Sequence, residues 1–304
     1  MTGARLLSLR APSDFAFEPT VRSHGWYLLA PFRWDGSTQT LHRIERLGSG
    51  AVELRIRSKR GLLTVEADRT LDRWKRELET RLRRMFQLHL ALDEFTSMAS
   101  GIDTHHWVGA SGFGRMLCGS TRFEDAVKII ATTNTTWRQT MRMVDLLVAR
   151  AGSRTRSGGA AFPEPAQIAA IDPADLQRDC RLGYRATTIH ALARGVVDGV
   201  FRLDELHDPG LSPSNQLARY RTLPGIGPYG AAHLMAMDGR HDFIAVDTEF
   251  RRFVRDRYHK GRKVADATLL RRYRKWGRWQ YLAYWAESWS EVRNSLVDYE
   301  SRSE

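Results

Sequence analysis

The stretch "LPGIGPYGAAHLMAMDGRHDFIAVDTEFRRF", residues 223–253, sets a proline and two glycines ahead of an apolar helix, with the carboxylate of Asp247 twenty residues beyond Gly227. A tight turn that feeds a helix N-terminus presents backbone N–H groups, and such groups suit a phosphate. A helix ends near Tyr220, Pro224 and Gly225 make the turn, and Gly227 allows close backbone approach before the next helix opens. The pattern is a helix-hairpin-helix. A plain αα-hairpin with a glycine turn is the simpler alternative, and the basic chain around it favours the phosphate reading. On that reading Leu223, Gly225 and Gly227 belong to a DNA grip in which the glycines act through backbone. Asp247 follows the short β-like run "FIAV" at the N-cap of the next helix, and capping alone accounts for an Asp there.

The rest of the chain supports a polyanionic partner. Its 304 residues carry a formal net charge of +12, with nucleic acid as the leading candidate, while no apolar run approaches the ~18 residues that a membrane span requires. The first residues lack a sustained apolar segment with a cleavage site, so a cytoplasmic, nucleoid-associated location is expected. Cys118 and Cys180 form no CxxC pattern, and His105 and His106 are adjacent, not a helical turn apart. No metal site built from side chains is expected.

Two regimes of periodicity divide the chain. From about residue 15 to 67 apolar residues alternate with polar ones, as in Val52, Leu54 and Ile56 and again in Leu63, Val65 and Ala67, with turns at "GSG" (48–50) and "KRG" (59–61). "GWYLLAPFRW" at 25–34 reads as the first long strand. Beyond residue 70 the spacing becomes helical, beginning with Leu71, Trp74, Leu78, Leu82 and Met85. Thr121 and Glu124 predict a capping box for the helix of "FEDAVKIIA", and "WRQTMRMVDLLVAR" predicts another helix after "TTNTT". The Gly/Ser/Pro-rich stretch at 151–165 reads as a loop dividing two helical lobes. Further helices are expected over 173–180, 185–198, 213–221, 228–238, 248–258, 265–275 and 279–290. The fold class is therefore α+β: an antiparallel β-rich accessory domain over 1–95, then a two-lobed helical region over 96–304.

The segments "LPGIGPYGAA" and "IAVDTEFRR" together resemble the HhH-GPD superfamily of DNA base-excision glycosylases, whose signature is this hairpin, a Gly/Pro-rich loop and a catalytic Asp. "FEDAVKIIATTNTTW", "FPEPAQIAAIDPADLQ", "LGYRATTIHALARG" and "RYRKWGRWQYLAYWAESW" are similar to successive segments of its 3-methyladenine glycosylase II and 8-oxoguanine glycosylase branches, so the likeness covers about residues 15–290. The resemblance implies that Asp247 is catalytic and that the partner is double-stranded DNA containing a damaged base, flipped from the stack before its glycosidic bond breaks. A monomer is expected. Bifunctional members carry a lysine two positions after the second hairpin glycine, where this chain has Tyr229; the resemblance thus implies a glycosylase without lyase activity.

Other matching positions carry expected roles. Tyr229 and His233 match pocket-facing positions of the alkyl-base branch. Asn134 matches the residue that wedges into DNA or touches the orphaned base, and Tyr184 and Arg185 match residues that the 8-oxoguanine branch inserts beside an orphan cytosine. Where that branch has a second arginine five residues after the Asn, this chain has Gln139. Glu249 stands where many members place a histidine, and an ion pair with Arg251 or Arg252 is expected for it. The iron–sulfur cysteines of other branches are absent. In "TVRSHGWYLL" either His24 or Trp26 reaches the base, or the segment is a buried strand; in "WGRWQYLAYWAESW" one of Trp285 and Trp289 lines the pocket. No cofactor is expected, with a monovalent cation at the hairpin's backbone carbonyls left open. Alkylated purine is the favoured substrate. The alternatives are an 8-oxoguanine-type enzyme and a non-catalytic damage-binding protein.

Overall fold

A computed structural model describes residues 4–48, 50–69 and 72–289. Five antiparallel strands, β1 (Ala4–Arg10), β2 (Phe32–Asp35), β3 (Thr40–Leu47), β4 (Gly50–Lys59) and β5 (Leu62–Ala67), form one sheet in the order β1-β5-β4-β3-β2. The hairpin registers place Leu41 opposite Ile56 and Ile56 opposite Val65, so the alternation seen in sequence stacks apolar side chains on one face. The α+β class holds.

The segment 25–34 is not the long strand that its apolar character predicts. Gly25–Leu28 is a 3₁₀ turn, and only Phe32–Asp35 pairs in the sheet. Pro31 has no N–H to give to a ladder, so the strand starts after it. Gly25 is held against Trp137, whose ring lies 2.3 Å from where a Cβ would stand, a contact that an extended run with a larger residue does not permit.

The helices that matter for the site are α1 (Lys75–Met85), α2 (Arg122–Thr132), α3 (Trp137–Ala151), α4 (Arg185–Val197), α5 (Pro213–Tyr220), α6 (Pro228–Met237) and α7 (Thr248–His259), followed by α8 over 280–289. A first apolar core runs from the sheet through Leu78 and Leu82 of α1 into α2, α3, α4 and one side of α6. A second is built from Phe95, Val108, the other side of α6, Phe250, Trp276 and α8. α6 therefore has no polar face, as its run "AAHLMAM" requires of a helix buried on both sides. The loop at 151–165 does not divide these lobes. It joins two elements of the first core and lies on the sheet, where Thr155 donates to Glu53 at 3.2 Å.

α2 joins sheet to helices through charge. Thr121 caps it, accepting the Glu124 N–H, but the Glu124 side chain does not complete the expected box. It turns instead to the sheet, where Arg43 donates to it at 3.1 and 2.7 Å, and Lys128 donates to it at 2.7 Å. Arg43 also donates to Glu45 at 2.6 Å and lies over the Phe32 ring. All four charged groups are buried. Burial by itself raises the Glu124 carboxyl's pKa, yet the neighbouring Arg43 and Lys128 outweigh it and hold the group below its usual range.

Removing one member of such a network strands the others without a counter-charge, whereas removing all of them need not. Glu124→Gln is expected to lower stability by about 3–5 kcal/mol in urea denaturation. Replacing Arg43, Glu45, Glu124 and Lys128 together by Met, Leu, Leu and Met is expected to cost less than the single change.

Candidate active site

The hairpin predicted from "LPGIGPYG" is formed by α5, the turn and α6. Gly225 has φ +74°, and a Cβ there would stand 2.4 Å from Thr188 Cγ2, so glycine is required on both backbone and packing grounds. Gly227, the N-cap of α6, has φ −82° and open space around it, and its glycine is not needed to relieve strain. What it does is leave the helix N-terminus uncovered. Among the described residues the N–H groups of Gly225 and Gly227 meet no backbone acceptor, while Pro228 at the first helical position has none to offer. Leu223 is buried and packs in the first core, so its side chain supports the hairpin from within and is not a DNA-facing group.

Twenty residues on, Asp247 caps α7: its Oδ1 accepts the Phe250 N–H at 2.7 Å. No strand precedes it. The side chain is half-buried, and that burial raises its pKa above the ordinary 3.8 despite the N–H groups of Phe250 and Glu249. A carboxylate so placed is short of solvent, and it gains more than an exposed one when a positive charge appears nearby. Glu249, at the rim, forms an ion pair with Arg252 at 3.0 Å, while Arg251 pairs with Asp266 at 2.8 Å.

Asp247 opens into a cavity of about 670 Å³ whose walls include His24, Trp26, Tyr229, His233 and Trp285. Five parts of the chain meet there: the 3₁₀ turn after His24, the α2–α3 loop with Trp137 at the start of α3, α6, the N-terminus of α7, and α8. Both His24 and Trp26 line it. The Trp26 indole N–H donates to Asp125 at 2.8 Å, and Asp125 is held in turn by Arg84 and by the Gly119 N–H, each at 2.7 Å. The Trp26 ring stacks on His233 with centroids 5.6 Å apart. Trp285 donates its N–H to the Ser23 carbonyl at 2.9 Å, which ties α8 to the His24 segment. Burial pushes the Tyr229 phenol up to about 12 and the His233 imidazole down to about 4.

Trp289 does not line the cavity; it stacks on Trp107 at 5.7 Å and packs on Phe113, one turn beyond the face that Trp285 presents. Sequence reasoning missed Tyr281, Tyr284 and Trp137, which also line the cavity. Tyr281 was within reach of it: Tyr281 and Trp285 are four residues apart, share a helix face and stack at 5.9 Å.

The loop between α2 and α3 forms a second part of the surface. Asn134 is exposed, has φ +49°, and donates to the Tyr184 hydroxyl at 3.3 Å. Tyr184 is 60% exposed. Arg185 is buried, contrary to the expectation of a DNA-reaching side chain, because its guanidinium lies over the Tyr184 ring and donates to the carbonyls of Thr133 and Asn134. It braces the loop that presents Asn134. Gln139 has a local role as well, completing a capping box with Thr136 at the start of α3.

Among the described residues no cluster of His, Cys, Asp or Glu could hold a metal ion, and no helix is long and apolar enough to cross a membrane. Cys118 and Cys180 are buried thiols, and the two ring nitrogens of His105 are engaged by the Thr104 hydroxyl at 2.7 Å and the Ala283 carbonyl at 2.9 Å.

Solved structures share this architecture. MBOgg1 in complex with a low-affinity DNA ligand superposes with a TM-score of 0.72 at 19% identity, over 95% of this chain and 100% of that one. The 3-methyladenine DNA-glycosylase from Archaeoglobus fulgidus gives 0.75 at 17% identity, over 94% and 99%. The Clostridium acetobutylicum 8-oxoguanine glycosylase/lyase, in complex with double-stranded DNA containing cytosine opposite 8-oxoG, gives 0.72 at 15%, over 97% and 100%. These likenesses are of fold. No curated protein matches the sequence. Residues 127–277, which span the α2–α3 loop, the hairpin and Asp247, match the family model of the HhH-GPD superfamily base excision DNA repair protein, and the chain belongs to that superfamily.

Proposed function

We propose that the protein is a monofunctional DNA glycosylase that flips a damaged purine, preferentially an alkylated one, into the cavity beside Asp247 and hydrolyses its N-glycosidic bond. The observation that carries this reading is the carboxylate itself, half-buried at a helix N-cap and facing an aromatic-walled cavity next to an open hairpin. As the bond stretches, the sugar gains oxocarbenium character, and Asp247 stabilises that charge and orients the attacking water. Trp26, Tyr229 and Trp285 offer faces on which a base stacks, and such faces attract a cationic alkylated purine. Asn134 and Tyr184 stand where the gap left by the flipped nucleotide is filled. The hairpin N–H groups hold a backbone phosphate.

Absence of lyase activity rests on the chemistry of the walls. A lyase step needs an amine to form a Schiff base with the sugar, and Tyr229 occupies the family's lysine position. The remaining walls of the cavity contain no lysine either.

Asp247→Asn separates capping from catalysis, because Asn caps a helix about as well as Asp. Single-turnover base release is expected to fall by about 10²–10³ while duplex affinity and melting temperature barely change. Strand breaks should appear only after alkali. Unchanged release would sink the catalytic assignment, and tight, salt-sensitive binding with no release from any damaged duplex would favour a damage-binding protein.

Gly227→Asp tests the hairpin without straining it, since the backbone there suits any residue and Asp is a good N-cap. The new carboxylate would stand at the phosphate site. Duplex affinity is expected to drop at least about tenfold, with melting temperature unchanged or raised; equal affinity would show that DNA does not approach this turn.

A further inference from the structure

Residues 251–278 contain twelve Lys and Arg against two Asp, so this one segment holds most of the chain's formal net charge of +12. Part of that charge is answered within the protein: Arg251 pairs with Asp266, Arg252 with Glu249, Arg272 with Glu287 and Arg278 with Glu94. Lys260, Arg262, Lys263, Arg271, Arg274 and Lys275 are exposed and form no ion pair among the described residues. One solvated cation needs no explanation; six gathered in one place do.

They gather at the far end of α7. That helix starts at the Asp247 cap and runs for twelve residues, Thr248–His259, or about 18 Å at 1.5 Å per residue. Lys260, with φ +51°, ends it; the Gly261 N–H returns to the Arg255 carbonyl at 3.1 Å and the Arg262 N–H to the His259 carbonyl at 3.0 Å. Lys260, Arg262 and Lys263 are thus presented from a hydrogen-bonded turn. Opposite it, the short helix Asp266–Arg271 and the 3₁₀ segment Arg274–Trp279 bring Arg271 and Lys275 to a cleft of about 430 Å³ whose walls include Tyr258, His259 and Arg272. None of these residues lines the Asp247 cavity.

The cleft's own carboxylate does not neutralise its rim. Glu287 is buried, accepts the hydroxyls of Tyr258 and Tyr273, and lies 3.5 Å from Arg272. The aromatic walls are closed to stacking, since Trp276 is buried and the Tyr258 ring lies against the guanidinium groups of Arg272 and Arg257. What the cleft offers is an array of fixed charges. Such an array suits phosphates spaced along a backbone, without base readout and without strand separation.

We propose that this cleft and its rim are a second duplex-DNA contact surface, which holds backbone phosphates of undamaged DNA while the Asp247 cavity samples bases. The choice of duplex DNA as occupant rests on the glycosylase reading given above, in which the target nucleotide lies within intact duplex. Mutual repulsion among the six cations is relieved by a polyanion, and a concave basic surface concentrates the potential that attracts one. The contacts add affinity for any duplex by releasing counterions. They leave the glycosidic step unchanged, because none of the six reaches the cavity.

Three variants of equal net charge test this. Arg271→Gln/Arg274→Gln/Lys275→Gln and Lys260→Gln/Arg262→Gln/Lys263→Gln each remove three charges from one side of the cleft, while Arg10→Gln/Lys59→Gln/Arg60→Gln removes three from exposed positions on the sheet. Affinity for an undamaged duplex is measured over a range of salt, with melting temperature as the check on folding. Each cleft variant is expected to bind at least about tenfold more weakly at low salt, with a slope of log K against log salt shallower by about 2, and the sheet variant to change by less than about threefold. Single-turnover base release at saturating enzyme should stay within about twofold of wild type in all three. Equal losses in cleft and sheet variants would reveal a general effect of net charge. Unchanged duplex affinity in the cleft variants, even with weaker binding to heparin or an acidic peptide, would mean another occupant. Either result overturns the second surface and leaves the glycosylase reading standing, and a loss of release at saturation with unchanged melting temperature overturns it too, by placing the cleft in catalysis. Absence of release by wild type from every damaged duplex sinks the glycosylase reading instead, and the binding measurements still decide the second surface.

Discussion

Two consecutive carboxylates in the first turn of α2 hold the molecule together in two directions. Glu124 reaches the sheet through Arg43, and Asp125 reaches the cavity wall through the Trp26 indole. Acidic residues are favourable at a helix N-terminus, where the exposed N–H groups supply positive potential, so the turn bears two charges that are then spent on tertiary contacts. Asp125 also takes Arg84 from α1, and Arg84 lies 3.8 Å from Asp238 at the end of α6. Asp238 in turn accepts the Tyr220 hydroxyl and pairs with Arg122 at 3.0 Å. One buried polar path thus connects the stacking wall of the cavity to both helices of the hairpin. A shift of α2 would move Trp26 and the hairpin together.

That constraint explains why the cavity can be built from distant parts of the chain. Trp26 and Tyr229 are about two hundred residues apart in sequence, yet each is positioned from α2 or from a helix packed on it. The other wall depends on α8, which is tied back by the Trp285 bond to Ser23 and by the second aromatic core. Asp247 sits where the two cores meet and is fixed by its own cap, so the reacting carboxylate of the proposed mechanism is not free to rotate away. Capping and catalysis are compatible in one residue because the cap engages Oδ1 from the helix side.

What the sequence disclosed follows from how local each signal is. The hairpin, Asp247 at an N-cap, the alternating strands β4 and β5 and most helices after residue 165 depend on neighbours in the chain and appear close to their expected bounds; the helix expected over 265–275 instead stops at Arg271 and gives way to a 3₁₀ segment over Arg274–Trp279. The misreadings are all tertiary. Apolar residues at 25–34 looked like a strand because burial, not pairing, demands them. Glu124 looked like half of a capping box because Arg43, eighty-one residues away, is invisible to local pattern. Leu223 was assigned by position to a face that packing turns inward. The same blindness hid Ser23 and Tyr281 as the hydrogen-bond partners of the two cavity imidazoles.

On the proposed function Arg185 would serve recognition without touching the ligand, by bracing the loop beside it. A left-handed residue such as Asn134 costs more than an ordinary loop conformation, although Asn tolerates it better than most. Two carbonyls of the same turn, those of Thr133 and Asn134, point at one guanidinium, and the Tyr184 ring covers that guanidinium from outside. The turn is therefore held in its strained shape before any DNA arrives. On the proposed function this matters energetically: a wedge that had to be ordered during base flipping would add its own conformational entropy to the cost of unstacking, whereas a braced one does not. The buried arginine, which from sequence looks like the DNA-reading group of the pair, instead leaves Tyr184 and Asn134 as the exposed groups of this surface, the ones that would meet the duplex on the proposed function.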